Sequence, residues 1–134
     1  NQLCPPYPDC LSTSDVGYQY IENCDCFVLP SYREGTSRSL LEAASVGRPI
    51  VTTDVPGCRD AIKNGLTGLL VPPRNVKCLS DAISILIDDT ARRKAMGIYG
   101  RERAEKLFDV RQVISTHIGI YKELAANTTS KKSC

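Results

Sequence analysis

The stretch Cys26-Phe27-Val28-Leu29-Pro30-Ser31-Tyr32-Arg33-Glu34-Gly35-Thr36-Ser37-Arg38-Ser39-Leu40-Leu41-Glu42-Ala43-Ala44-Ser45-Val46-Gly47-Arg48-Pro49-Ile50-Val51-Thr52-Thr53 decides the fold. It opens on a short apolar run, 26–29, stopped by Pro30, which has the length and composition of a buried strand. A polar loop containing Gly35 follows. Then comes an apolar helix over about residues 39–46, closed by Gly47. A second short strand, 49–53, completes the unit. A strand, a helix and a strand in this order predict a parallel pair joined by a crossover.

Working outward, residues 54–59 read as a loop, and 68–71 as a third strand stopped by Pro72-Pro73. Asn75 is placed to cap a helix reaching about Asp88, with Leu79, Ala82, Ile83, Leu86 and Ile87 on one side. Two more helices are expected over about residues 90–107 and 110–126. The last carries Val113, Ile114, His117, Ile118 and Tyr121 at helical spacing. Upstream, Ser14 is a cap for a short helix ending near Cys24. Residues 1–13, with Pro5, Pro6 and Pro8, read as an irregular leader. Residues 127–134 read as a disordered tail. The expected fold is α/β, one domain over residues 14–126. It is a partial Rossmann-like parallel sheet flanked by helices, since three strands are visible where a complete doubly wound domain has five or six.

Composition narrows the function. The 134 residues are 42% hydrophobic and 24% charged, with a net charge of +2. That balance suits an ordinary globular domain and does not favour a nucleic-acid partner. No apolar run approaches the ~18 residues that span a bilayer. The seven cysteines, at positions 4, 10, 24, 26, 58, 78 and 134, are odd in number and lack zinc-knuckle spacing. Reduced thiols in a cytoplasmic protein are expected.

In open parallel sheets ligands bind beyond the carboxyl ends of the strands, so the loop after Leu29 is the first place to look. Glu34 precedes a turn of small polar residues, and Glu42 follows on the helix. Backbone amides of residues 35–39, opening a helix, suit an anionic diphosphate. Carboxylates on either side suit vicinal hydroxyls. A nucleotide sugar offers all three groups in that order. Each carboxylate also has a plainer reading. Ser39-Leu40-Leu41-Glu42 matches a capping box, in which Glu42 merely closes its own helix. Glu34 could be a solvated loop carboxylate. A carboxylate buried in so apolar a helix would also need a partner.

The segment 27–43 resembles the E-x7-E region of GT-B glycosyltransferases of family 4. The resemblance continues through Gly47-Arg48-Pro49-Ile50-Val51-Thr52-Thr53-Asp54-Val55-Pro56-Gly57-Cys58-Arg59-Asp60 and Asn64-Gly65-Leu66-Thr67-Gly68-Leu69-Leu70-Val71-Pro72-Pro73. It fades into Met96-Gly97, Arg101, Ala104-Glu105 and Phe108. It implies the C-terminal, donor-binding half of a GT-B fold and a sugar transfer that retains anomeric configuration. The donor is a nucleotide-diphosphate sugar, with no further cofactor and usually no metal. It implies that Glu34 contacts the transferred sugar, as the catalytic residue. Gly35, Thr36, Ser37, Ser39 and Leu40 would hold sugar and diphosphate, and Glu42 the ribose.

Relatives also have an N-terminal acceptor-binding domain and an upstream basic pair, and residues 1–13 contain neither Lys nor Arg. The chain alone is therefore expected to be inactive. A lipid-linked or polysaccharide acceptor is implied, and with a lipid-linked one an association with the inner face of the membrane. The rival reading is a non-catalytic nucleotide-sugar-binding fragment or partner subunit.

Other residues invite sharper readings and receive plainer ones. His117, the single histidine, is expected to be packed among apolar neighbours. Cys58 is expected to be a small loop residue rather than a reactive thiol. Arg92, Arg93, Lys94, Arg101, Arg103 and Lys106 form a basic helix, interleaved with Glu102 and Glu105. It is expected to be solvated, with lipid attraction as the alternative. Tyr32 and Arg33 border the site loop.

Overall fold

The computed structural model describes residues 13–130. Six helices and three strands alternate as α1 (Thr13–Asn23), β1 (Phe27–Leu29), α2 (Arg38–Ser45), β2 (Ile50–Thr53), α3 (Pro56–Ala61), β3 (Gly68–Val71), α4 (Val76–Asp88), α5 (Thr90–Phe108) and α6 (Val110–Ser130). The leader up to residue 12, the tail from residue 131 and Cys4, Cys10 and Cys134 lie outside the described residues. Thr13 already belongs to α1, so Ser14 stands in the helix's first turn and not before it. At the other end α6 continues through residues 127–130, which the sequence assigned to the tail.

The strands form one parallel sheet in the order β1-β2-β3. Phe27 pairs with Ile50, and Ile50 with Gly68. Every residue of the central strand β2 is buried, as expected of a strand covered on both faces. Alternation along the strands divides the core in two. Phe27, Leu29, Ile50 and Leu70 pack with Leu40, Ala43 and Ala44 of α2 and Cys58 and Ala61 of α3. Val28, Val51, Leu69 and Val71 pack on the other face, with Ala82 and Leu86 of α4 and Met96 of α5.

Helix ends follow their sequence signals. Asn75 caps α4, its side chain accepting from the Cys78 amide at 3.0 Å. Gly47 ends α2 with φ +70°. Its amide donates to Ala44 O at 3.0 Å and that of Arg48 to Ala43 O at 2.9 Å, the paired bonds of a Schellman ending. The turn then packs on α5 at Gly97, where a Cβ would overlap the Gly47 carbonyl.

Four expectations need correction. Residues 54–59 were expected as a loop, but from Pro56 the chain forms α3 (Pro56–Ala61), with Pro56 in its first turn. The Pro-Gly pair that signals a turn also opens a short helix, because proline's missing N–H is no loss there. Second, the apolar neighbours among which His117 was expected to pack are not buried: Val113, Ile114, Ile118 and Tyr121 are 45–68% exposed. Third, His117 is exposed, its Nδ1 2.8 Å from Val113 O. Fourth, the basic face of α5 is solvated only in part: Lys94, Arg101 and Lys106 are exposed, and three of its arginines bond to neighbouring carbonyls. Arg93 donates to Leu86 O at 2.6 Å and Ile87 O at 2.5 Å, Arg101 to Ser45 O at 2.9 Å, and Arg103 to Asp60 O at 3.1 Å. These arginines fasten α5 to its neighbours. Among the described residues no helix is long and apolar enough to cross a membrane.

Candidate active site

The loop between β1 and α2 is held from below by β2. The Ser31 amide donates to Thr53 Oγ1 at 3.0 Å, and the Thr53 hydroxyl lies against the Ser31 carbonyl. Thr52 donates to Leu29 O at 2.7 Å, and its Oγ1 also lies 3.2 Å from Cys58 Sγ. The β-branched pair Thr52-Thr53 thus fills two roles, as strand formers and as donors to the end of β1. Ser31 passes the constraint onward, its hydroxyl donating to Glu34 Oε2 at 2.8 Å. Glu34 is therefore partly buried and oriented, not a freely solvated carboxylate.

From the side, the start of α3 is pressed against the same loop. Gly57 is buried, and a Cβ on it would overlap the carbonyl oxygens of Gly35 and Glu34. No other residue type fits without moving that backbone. Asp54 and Arg59 bracket this approach with an ion pair at 2.5 Å, and Asp54 raises the guanidinium pKa of Arg59 through the hydrogen bond. Cys58 is fully buried behind it, in keeping with a structural role.

Beyond Gly35 the chain enters α2. Ser37 is its N-cap residue in extended conformation, but its side chain makes no capping bond. Its Oγ lies instead 3.1 Å from Ser39 Oγ. The first intrahelical bond of α2 is Leu41 N to Ser37 O, at 3.2 Å. The N–H groups of Arg38, Ser39 and Leu40 precede it and have no acceptor among the described residues. A helix start of this kind presents partial positive charge and free donors. Leu40 is fully buried, so its amide, although without an acceptor, is closed to solvent, and Arg38 and Ser39 carry the accessible donors.

The capping box is not formed. The helix begins at Arg38, so Ser39 is inside it and Glu42 is too far along to reach the cap. Nor is Glu42 buried: α2 buries Leu40, Ala43 and Ala44. The Glu42 side chain is 44% exposed and 3.3 Å from Arg38 Nε. That partner is almost wholly exposed, so the pair contributes little, roughly 0.3–0.5 kcal/mol. Glu42 opens onto a cleft of about 470 Å³ shared with Leu41, Ala104, Glu105 and Phe108. Glu34 and Glu42 thus stand at the two ends of the free amides. Thr36 is exposed between them, and Tyr32 and Arg33 are exposed on the near side.

Sequence reasoning singled out the carboxylates and the amides and passed over Thr52, Thr53 and Gly57, which hold the loop that carries them. Their signal was present as polar residues at the end of a buried strand and a Pro-Gly step after it.

The family profile described as glycosyl transferases, group 1, matches residues 12–103, more than half of the chain. The chain belongs to this family of sugar transferases, and its fold is that of the C-terminal half of a GT-B glycosyltransferase. Among curated relatives it is 36% identical to the N,N'-diacetylbacillosaminyl-diphospho-undecaprenol alpha-1,3-N-acetylgalactosaminyltransferase of Campylobacter jejuni, over 85% of this chain and 30% of the relative. Among solved structures it resembles sucrose-phosphate synthase from Thermosynechococcus elongatus, with a TM-score of 0.78 and 31% identity over 81% of this chain and 27% of that one. It also resembles Anabaena HepE in complex with UDP-glucose, with a TM-score of 0.66 and 25% identity over 84% of this chain and 29% of that one. The chain spans less than a third of the length of each.

Proposed function

We propose that this chain binds the nucleotide-diphosphate sugar of a retaining glycosyltransferase along the start of α2. The carrying observation is the pair of uncapped, accessible amides at Arg38 and Ser39, between a pinned Glu34 and an accessible Glu42. The diphosphate lies against those amides and those of Gly35, Thr36 and Ser37, where free N–H groups and the helix dipole favour it. Glu34 accepts hydrogen bonds from hydroxyls of the transferred sugar, and Glu42 from the ribose diol, displacing its weak pairing with Arg38. HepE, with UDP-glucose bound, supports a donor of this class.

In the transfer, a bond forms between the acceptor oxygen and the anomeric carbon as the bond to the diphosphate oxygen breaks. The diphosphate leaves with the electron pair, and the α2 amides meet the growing negative charge. The acceptor proton leaves with it, and the new bond keeps the donor's anomeric configuration. Glu34 fixes the sugar during this step. The acceptor is a hydroxyl of a lipid-linked or polysaccharide glycan, by analogy with the diphospho-undecaprenol relative. A lipid-linked acceptor would bring the protein to a membrane surface, and Arg92, Lys94 and Lys106 are the α5 cations whose side chains have neither an ion pair nor a carbonyl partner among the described residues to meet it.

Titration of UDP and UDP-glucose into the Glu42→Gln and Glu34→Gln variants tests the reading. Loss of a hydrogen bond to a charged acceptor costs about 1.5–3 kcal/mol, roughly ten- to a hundredfold in affinity. Glu42→Gln should weaken both ligands, and Glu34→Gln only the nucleotide sugar. Unchanged UDP affinity in a folded Glu42→Gln variant would refute the assignment.

A further inference from the structure

Arg38 stands where local preferences disfavour it. It is the first residue of α2, and the first turn of that helix holds no acidic residue. A helix start carries partial positive charge, so a cation there is unfavourable and an anion is welcome. The ion pair with Glu42, at 3.3 Å, spans i to i+4 with the cation nearer the N-terminus, the weaker of the two orientations. The Arg38 side chain is 93% exposed, so no packing fixes it in that pose. Arg38 and Glu42 together line the cleft of about 470 Å³. A residue set against its local preferences, with no gain to packing, is expected at a functional position.

Two directions are open to the guanidinium. To meet Glu42 it reaches forward along the helix. The Cα–Cβ bonds of a helix tilt toward its N-terminus, so the other direction leads back to the helix start. There the amides of Arg38 and Ser39 have no acceptor among the described residues. An anion held by those amides lies within reach of the same side chain.

From these observations we propose that Arg38 is a ligand of the donor's diphosphate, parked on Glu42 until the nucleotide arrives. The ribose diol takes Glu42 and opens the pair. The guanidinium then turns to the diphosphate, where its two parallel N–H groups match phosphate oxygens. As the bond from the anomeric carbon to the diphosphate oxygen breaks and the electron pair leaves with the diphosphate, Arg38 meets the charge gained by the leaving group. The exchange also couples the two halves of the nucleotide, since the group that binds one half frees the group that binds the other. The proposal rests on the reading of Glu42 as the ribose carboxylate and of the α2 start as the diphosphate site.

Nuclear magnetic resonance titrations of the isotope-labelled 134-residue chain test it, with uridine, inorganic diphosphate and UDP as probes. Diphosphate and UDP should shift the Arg38 Nε–H signal saturably. Arg38→Ala should weaken both by about tenfold or more, the value of a hydrogen bond to a charged group. The same substitution should leave uridine bound as well as before, or up to about twofold tighter, because it removes a weak competitor for Glu42. Arg38→Lys keeps the charge and loses the fork, and should restore part of the loss. Arg38 is exposed, so these variants keep the fold, and their amide spectra check it. An Arg38→Ala chain that binds UDP as tightly as the unaltered one would overturn the proposal. So would an equal loss for uridine and UDP, which would put Arg38 at the nucleoside instead. Failure of the underlying reading looks different. If uridine fails to bind or binds Glu42→Gln equally well, or if UDP leaves the amides of residues 35–39 unmoved, the donor assignment falls whatever Arg38 does.

Discussion

Gly57 stands so close to Gly35 that a side-chain carbon on the one would occupy the place of the other's carbonyl oxygen. Gly35 itself is different: a Cβ there meets nothing within 4 Å. The two glycines of one contact therefore answer to different demands, Gly57 to packing and Gly35 to what approaches from outside.

Gly57→Ala should destabilise the chain by about 1–3 kcal/mol, the usual cost of overpacking, and displace Glu34 and Gly35 together. Gly35→Ala should leave stability within about 0.5 kcal/mol and still weaken UDP-glucose binding, because the added methyl projects where the donor passes. Urea denaturation paired with ligand titration distinguishes them. Equal destabilisation by both would contradict the packing asymmetry.

Thr53→Val keeps the shape of a buried β2 residue and removes both contacts to Ser31. With the Ser31 amide left partly buried and unpaired, a loss of roughly 1–3 kcal/mol is expected. Binding of UDP-glucose should fall while that of UDP is retained, since only the Glu34 end of the loop is released. Retained UDP-glucose affinity would show that Ser31 and Glu34 hold their positions unaided.

Arg93→Ala should also be costly. The side chain is 17% exposed and donates to two carbonyls at the end of α4 and to Thr90. We expect a loss of about 1.5–3 kcal/mol, as for hydrogen bonds from a charged donor. Lys94→Ala, on the exposed side of the same helix, should stay within about 0.5 kcal/mol. Thermal melts of the two variants side by side provide the measurement, and equal shifts would contradict it.

The thiols should alkylate in a graded, pH-dependent way. Burial pushes the Cys24 and Cys26 thiols up, with Asp25 adding to both, and Arg48 and Arg93 oppose this only in part. A raised pKa means less thiolate at a given pH, so both should react with iodoacetamide more slowly than a free cysteine at pH 8. The gap should narrow as the pH climbs past the ordinary thiol range. Cys58, with no exposed surface, should react only on unfolding. Peptide mass spectrometry across a pH series reads all three, and early labelling of Cys58 would contradict its placement.

The strands, their parallel order and the helices after β3 were legible because each depends on local pattern. Short apolar runs end at Pro30 and Pro72, and Asn75 and Gly47 mark helix ends. The two carboxylates were legible as well, being polar residues on either side of a helix start. What was hidden depends on contacts distant in sequence. Nothing local tells that Thr53 reaches back to Ser31, or that Gly57 is excluded from every other residue type by Gly35. The cap at Ser37 was misplaced by two residues because Ser37 and Ser39 are chemically alike and neighbours along the turn. His117 on α6 was expected to be packed because periodicity identifies a face, not what lies against it.

One consequence of the threonine anchors concerns motion. The Ser31 amide is bonded to a side chain of the innermost strand, so its hydrogen exchanges only when that bond opens. The amides of Arg38 and Ser39, further along the loop, have no partner to break among the described residues, and neither residue is buried. The loop is thus stiff at its root and unquenched at its tip. A ligand arriving there finds donors already aimed, and little ordering of the backbone is left to oppose its binding.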